Sequence, residues 1–117
     1  MTKRVILFVL VISMFLVGAG CSAGKKQAKQ RPDTRKMVQV KIINFGFEPP
    51  EIKVGVNDIV DWENRDSAQH AVQADDAGWR SRPLAQGDHF QKSFKQPGAY
   101  AYHCNIHPTM TGTVIVK

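Results

Sequence analysis

The chain has 117 residues and a net charge of +6, and this length supports one compact domain. The positive charge lies outside that domain: residues 1–21 contribute +2, residues 22–36 contribute +5, and residues 37–117 carry eight Lys and Arg against nine Asp and Glu. Nucleic-acid binding requires a basic face on the folded module, so this distribution excludes that class of partner.

Residues 1–21 have the pattern of a secretory signal. Two basic residues precede thirteen residues, 5–17, of which only Ser13 is polar, and small residues then lead to Cys21. A basic start, a short apolar run and small residues before a cleavage point are typical of export signals. The run is shorter than the roughly 20 residues that span a bilayer. We therefore predict an exported protein, in the periplasm or another extracytoplasmic compartment.

Cys21 resembles the modified cysteine of a bacterial lipoprotein signal, where the peptide is cut and the thiol receives lipid. A thioether-linked diacylglycerol together with an amide-linked chain would hold the protein stably at a membrane. Gly18 departs from that pattern, which usually has Leu or a similar residue there. Two alternatives stay open: ordinary cleavage nearby, and an uncleaved anchor with an unmodified Cys21.

Residues 22–36 form a predicted tether between the signal and the domain. This segment has six basic residues and no apolar periodicity, so it cannot bury a core face and is expected to be flexible. A solvated spacer is one interpretation, and contact with anionic headgroups or an acidic partner is the other.

Short runs in which apolar and polar residues alternate fill the predicted domain, residues 37–117. Turn-forming residues such as Pro97-Gly98 separate the runs, which are residues 38–42, 52–54, 60–63, 100–104 and 114–116. Period two is typical of half-buried strands, and no stretch of the domain keeps a helical period. About seven short strands at this spacing predict an all-β fold in which two antiparallel sheets pack as a sandwich.

The predicted core is thin, because a domain of this length buries little apolar surface. It contains the Val and Ile of the alternating runs and five aromatic residues: Phe45, Phe47, Trp62, Phe90 and Phe94. Segment 75–86 is the least regular and is predicted to be a loop or a short helical turn. A metal ion that binds only the folded state would stabilise such a domain appreciably.

Cys104 is the one cysteine of the predicted domain, although an exported chain would normally pair its cysteines. It begins the sequence Cys104-x2-His107-x2-Met110. A thiolate, an imidazole and a thioether within seven residues suit copper better than Mg²⁺ or Ca²⁺, which prefer oxygen ligands.

A second imidazole ligand is expected from elsewhere in the chain, and His70 is the candidate. Alternate residues of a strand share a face, so His70 is expected on the same face as Val72. The positions of Cys104 and Met110 in the alternation likewise place their side chains on the inward face. These three side chains are therefore expected to project inward at one end of the sandwich. His107 lies in the tight loop that joins two strands.

The two remaining histidines are interpreted as surface residues. His103 is adjacent to Cys104, so its side chain is expected on the opposite face of the strand. His89 lies in a polar segment far from the motif. Each candidate ligand taken singly also has a structural interpretation, such as a buried thiol or a core methionine. Only the whole set, with its spacing and strand frame, predicts a copper site.

These residues resemble the cupredoxins, in particular the amicyanin and plastocyanin branch. The resemblance covers residues 38–117 and includes three segments besides the ligand loop: 47–50 (FEPP), 60–64 (VDWEN) and 97–100 (PGAY). The ligand-loop spacing is closer to amicyanin than to plastocyanin, whose gap from His to Met is longer. The resemblance implies a Greek-key sandwich that holds one copper ion.

The resemblance also implies the roles of four copper ligands, three equatorial and one axial: His70, Cys104, His107 and, as the axial ligand, Met110. Backbone N–H groups near Asn64 and Ala71 are expected to donate to the Cys104 sulfur and to tune the reduction potential. Ala71 itself is a departure, because many relatives have an Asn there that steadies the ligand loops.

The resemblance implies a type 1 (blue) copper protein that passes single electrons between redox partner proteins of the cell envelope, through the exposed edge of His107. The sequence offers no general base or vacant coordination position, so we predict a monomeric carrier and not an enzyme. Three alternatives stay open: copper storage or delivery, a structural Zn²⁺ site, and an accessory copper domain of an oxidase complex. A two-copper centre would need a second cysteine in the ligand loop.

Overall fold

The computed structural model describes residues 32–117 together with Gly18 and Gly20. Most of the predicted signal, the lipidation of Cys21 and most of the predicted tether therefore lie outside the described residues. Within the described part of the chain, no helix has the length and apolar character needed to cross a membrane.

Residues 32–36, the described end of the predicted tether, are exposed and belong to no strand. Lys36 is nevertheless bonded to the domain. Its N–H donates to the Asp58 carboxylate at 3.0 Å, and its carbonyl accepts the N–H of Ile59 at 2.8 Å. Lys36 is therefore fixed to the folded domain.

Eight strands build the domain: β1 (Met37–Ile43), β2 (Gly46–Glu48), β3 (Glu51–Val54), β4 (Ile59–Asn64), β5 (Gln73–Ala74), β6 (His89–Ser93), β7 (Gly98–His103) and β8 (Thr111–Val116). The alternation of apolar and polar residues explains which face of each strand is buried. Val40 and Ile42 are buried in β1, as are Val114 and Val116 in β8, while the residues between them are more exposed.

The strands form two four-stranded sheets, ordered β2-β1-β4-β6 and β3-β8-β7-β5, which confirms the predicted all-β, two-sheet sandwich. Four pairings are antiparallel, but β1 runs parallel to β4 and β3 runs parallel to β8. The antiparallel prediction is therefore wrong for those two pairs. Alternation does not indicate strand direction. Between β1 and β4 the chain crosses to the other sheet as β3, and such a crossover permits parallel pairing.

The core lies between the two sheets. Trp62 and Tyr102 are its largest fully buried side chains, and their rings meet edge to face with centroids 5.4 Å apart. Burial raises the pKa of Tyr102 to about 12, so its phenol stays neutral. Among the other predicted aromatic core residues, Phe47 and Phe94 are buried and Phe90 is partly buried.

Phe45 was predicted to be a core residue, and this is wrong, because 55% of it is exposed. It lies with Asn44 in the turn between β1 and β2, where both residues have left-handed φ angles of 56° and 52°. Two consecutive residues of this kind form a tight hairpin turn, which takes their side chains out of the strand alternation.

Segment 75–86 is a loop without a helix, as one of the two predictions for it stated. Leu84, near its end, is fully buried and forms an isolated antiparallel bridge with His70. Trp79 packs against the core from the same segment. The loop therefore closes one side of the sandwich and also positions a candidate ligand.

Candidate metal centre

His70 is held by its backbone in both directions. Its N–H donates to the Leu84 carbonyl at 3.2 Å, and its own carbonyl accepts the Leu84 N–H at 2.7 Å. The side-chain amide of Asn64 supports the same segment by donating to the carbonyls of Ala68 and Leu84 at 2.9 and 2.8 Å. The His70 side chain is fully buried, so its ring has a defined position.

The remaining candidate ligands lie in the loop between β7 and β8. The N–H of Cys104 donates to the Met110 carbonyl at 3.0 Å, and the N–H of Met110 donates to the His107 carbonyl at 2.9 Å. The two strands stay paired up to His103 and Thr111, at the base of this loop. The loop is therefore compact, and it brings the Cys104 and His107 side chains close together.

Three donor atoms converge at this end of the sandwich. The Cys104 Sγ lies 3.8 Å from Nδ1 of His70 and 3.9 Å from Nδ1 of His107, and the two nitrogens are 3.2 Å apart. We call these atoms the donor triangle. Among the described residues, no other group of His, Cys, Asp and Glu has the geometry to hold a metal ion.

A copper ion fits the donor triangle. The point equidistant from the three atoms lies about 2.1 Å from each, close to the bond lengths of about 2.0–2.3 Å that imidazole and thiolate form with an ion of this size. Two ring nitrogens and a sulfur at these separations repel one another unless a cation or a proton lies between them. Two imidazoles and one thiolate in a plane are the equatorial set of blue-copper sites.

Met110, the predicted axial ligand, is joined to the ligand loop by backbone hydrogen bonds with Cys104 and His107. Only 3% of it is exposed, and it belongs to the same buried cluster as Cys104. A thioether beside a trigonal set of two His and one Cys is typical of the weak axial ligand of blue copper. The structure thus brings all four predicted residues to one end of the sandwich.

The Cys104 sulfur also accepts a backbone hydrogen bond, from the N–H of Ala71 at 3.4 Å, as expected. The corresponding expectation for Asn64 is wrong, because its N–H donates to the Asp88 carbonyl at 3.0 Å. Asn64 acts instead through its side-chain amide, which holds the segment around His70. That amide therefore adds rigidity to the segment that carries His70.

Asp66 is a residue of the site that the sequence analysis missed. Its Oδ2 lies 2.9 Å from Nε2 of His70, and its carboxylate accepts the N–H groups of Asn44 and Phe45 at 2.8 and 2.9 Å. Burial raises the pKa of Asp66, but the two N–H donors and the His70 ring outweigh it and hold the pKa below its usual range. An Asp four residues before a His in a loop is too common a pattern to indicate this role.

Phe45 covers the two candidate histidine ligands. Its ring meets those of His70 and His107 edge to face, with centroid distances of 5.2 and 5.1 Å. His107 is partly exposed, and its neighbour Ile106 is 43% exposed. The centre therefore reaches the surface at His107, which contacts Phe45 and follows Ile106 in the chain, and we call these three residues the apolar patch.

His89 and His103 lie outside the donor triangle. Nδ1 of His103 is 2.7 Å from the Asp75 carboxylate, and Nδ1 of His89 is 3.0 Å from that of Asp61. The side chains of His103 and His89 are 26% and 47% exposed, as expected of residues that reach the surface. Both have a carboxylate partner within hydrogen-bond distance.

Related sequences carry the same domain. The family of cupredoxin-like domains matches residues 7–116 of this chain. Amicyanin-alpha of Methylorubrum extorquens is 27% identical over an alignment 124 positions long, which covers 97% of this chain and 99% of that protein. Amicyanin of Paracoccus denitrificans is 32% identical over 85 residues, which cover 68% of this chain and 65% of that protein.

Solved structures have the same architecture. The Cu(I) form of an amicyanin variant with a methionine replaced by alanine is 34% identical, with a TM-score of 0.65 over 69% of this chain and 82% of that one. A Cu-containing nitrite reductase from Thermus scotoductus is 26% identical, also with a TM-score of 0.65, over 68% of this chain but 22% of that one. Because the family match spans nearly the whole sequence, this chain belongs to the cupredoxin-like family.

Proposed function

We propose that this chain is a blue-copper protein that carries one electron at a time, with His70, Cys104 and His107 as equatorial copper ligands and Met110 as the axial ligand. The observation that carries this proposal is the donor triangle, in which a buried sulfur and two ring nitrogens lie 3.2–3.9 Å apart. When bound, copper supplies a Cu(I)/Cu(II) couple, for which thiolate and thioether favour Cu(I) and the imidazoles accept Cu(II).

The protein's part in this function is to keep the ligands still. His70 is held by two backbone hydrogen bonds and Cys104 by one, and the Cys104 sulfur itself accepts the Ala71 N–H. Ligands that keep their positions in both oxidation states make electron transfer fast, because little rearrangement accompanies it. Packing in a buried cluster supports the same rigidity.

Electron exchange is proposed to pass through the edge of His107 in the apolar patch. An exposed phenylalanine and isoleucine beside the ring let a partner protein approach closely and exclude water from the contact. We propose that the partners are redox proteins of the cell envelope and that the chain acts as a monomer. The nearly neutral domain provides no strong long-range steering by charge.

A carrier explains the chain better than an enzyme. Amicyanin-alpha matches this chain over 99% of its own length, whereas the nitrite reductase matches it over 22%. Among the described residues, one group of His and Cys side chains could hold a metal ion, and its three donor atoms leave room for a single ion between them. An accessory domain of a larger copper enzyme is the second candidate, supported by that partial match.

Metal selectivity tests the proposal against a structural zinc site. The full-length protein loaded with Cu(II) is expected to be intensely blue and to show a small parallel hyperfine splitting in its electron paramagnetic resonance spectrum. Both properties arise when one thiolate binds Cu(II) strongly in a trigonal plane. The zinc-loaded protein is the colourless control. A protein that stays colourless with Cu(II) and binds Zn²⁺ in preference contradicts the proposal.

We further propose that the chain is exported and held at a membrane by lipid on Cys21. The basic start, the apolar run of residues 5–17 and the small residues before Cys21 support this. A labelled fatty acid fed to a bacterial host that makes the full chain is expected to label the wild type but not Cys21→Ser. An unlabelled wild-type protein contradicts the anchoring and leaves the copper chemistry unaffected.

A further inference from the structure

Asp66 makes three hydrogen-bond contacts with one carboxylate. Oδ1 accepts the N–H of Asn44, and Oδ2 lies within 2.9 Å of both the Phe45 N–H and Nε2 of His70. Its own N–H donates to the side-chain oxygen of Asn64 at 3.0 Å. The carboxylate is therefore fixed in place by groups other than the ligand that it contacts.

The contact with His70 has a defined direction once a metal binds. Nδ1 of His70 faces the donor triangle, so the proton of the neutral ring resides on Nε2 and is donated to Asp66. Such a partner fixes the tautomer and the ring plane of a metal-bound imidazole and makes the ring a stronger donor. The His70 side chain is fully buried, so water does not compete for this proton.

The same carboxylate also holds the hairpin turn that carries Phe45. Both of its backbone partners in that turn have left-handed φ angles, and Phe45 lies edge to face over His70 and His107. Asp66 therefore connects the covering ring and the buried ligand through a single side chain.

We propose that Asp66 is a positioning residue, whose carboxylate orients His70 toward the metal and favours Cu(II) over Cu(I). This inference rests on the proposed function of the donor triangle. A negative charge in contact with a ligand stabilises the more positive metal ion, and its effect is strong because the contact is largely shielded from water. Asp66→Asn removes the charge and places an amide N–H group among three donors.

The test compares Asp66→Asn with Asp61→Asn in full-length, copper-loaded protein. The Asp66 variant is expected to bind Cu(II) about 10–100-fold more weakly, as when an outer partner of a metal ligand is lost. Its affinity for Cu(I) should change less, so the midpoint potential rises. Each factor of ten by which the Cu(II) affinity falls more than the Cu(I) affinity raises the midpoint potential of this one-electron couple by about 59 mV.

Asp61→Asn is the matched control, because Asp61 has the same type of pairing with His89, which lies outside the donor triangle. It should leave the potential and the Cu(II) affinity nearly unchanged. Pulsed electron paramagnetic resonance of the remote ring nitrogens should change for one imidazole in Asp66→Asn and for neither in the control. Asp66→Glu, which keeps the charge, should restore part of the potential.

The wild type supplies a readout that does not depend on how the variants fold. In the Cu(I) protein, magnetic resonance should show a slowly exchanging Nε2 proton on His70. Absence of that proton, equal potential shifts in both Asn variants, or an unchanged remote-nitrogen signal in Asp66→Asn would overturn the inference. A wild type that does not turn blue refutes the proposed function instead, so the two failures are distinguishable.

Discussion

Cys104→Ser is expected to abolish both the blue colour and the reversible one-electron couple of the copper-loaded protein. Cys104 supplies the sulfur of the donor triangle, and a serine hydroxyl is a harder and far less acidic donor. Copper affinity should fall by more than the roughly 10–100-fold that follows loss of an outer partner of a ligand. Visible spectra and voltammetry of the two proteins at equal copper occupancy provide the measurement.

Cys21→Ser is the matched control, because it makes the same chemical change at the other cysteine of the chain. It should leave the colour and the potential intact. The ligand assignment fails if Cys104→Ser keeps its spectrum, or if both serine variants lose the colour to the same degree.

Gly112→Ala is expected to lower the free energy of unfolding by about 3 kcal/mol, the upper end of the range for overpacking. A Cβ at position 112 would overlap the ring and hydroxyl of Tyr102, which is paired with Gly112 across β7 and β8. Tyr102 is enclosed by Trp62 and Phe47, so its ring cannot move aside easily. Denaturant unfolding of the metal-free protein gives the measurement.

Gly46→Ala is the control for this variant. Gly46 also lies in a strand, but its Cβ would meet nothing closer than the Ile43 carbonyl at 3.7 Å, so the loss should stay within about 0.5 kcal/mol. In a Tyr102→Leu background the effect of Gly112→Ala should shrink, because the two side chains compete for one space. Equal losses in Gly112→Ala and Gly46→Ala would contradict the packing argument.

Strand positions and buried faces were predictable because they depend on local alternation. Val40, Ile42 and Val114 are buried as their parity indicates. The direction of β1 relative to β4 was not predictable, since it depends on where the chain goes between them. Phe45 was misassigned for a related reason: its exposure follows from the backbone of a turn, whereas apolar character is the same in a core and on a surface.

Most of the candidate site was predictable because three of its residues lie within seven positions of the chain. His70 could be added from its parity in a short alternating run, and the structure places its ring 3.8 Å from the Cys104 sulfur. Asp66 and the side-chain role of Asn64 could not be found in this way. Both act through hydrogen bonds to segments distant in sequence, and such contacts leave no spacing pattern.

The central claim is tested most directly by repeated oxidation and reduction of the copper-loaded, full-length protein. The blue colour, the number of electrons transferred and the amount of bound copper are followed together. We predict that one electron per protein bleaches the blue colour, that its removal restores the colour, and that copper stays bound over many cycles. Release of copper on reduction would contradict an electron carrier and indicate a protein that delivers the metal.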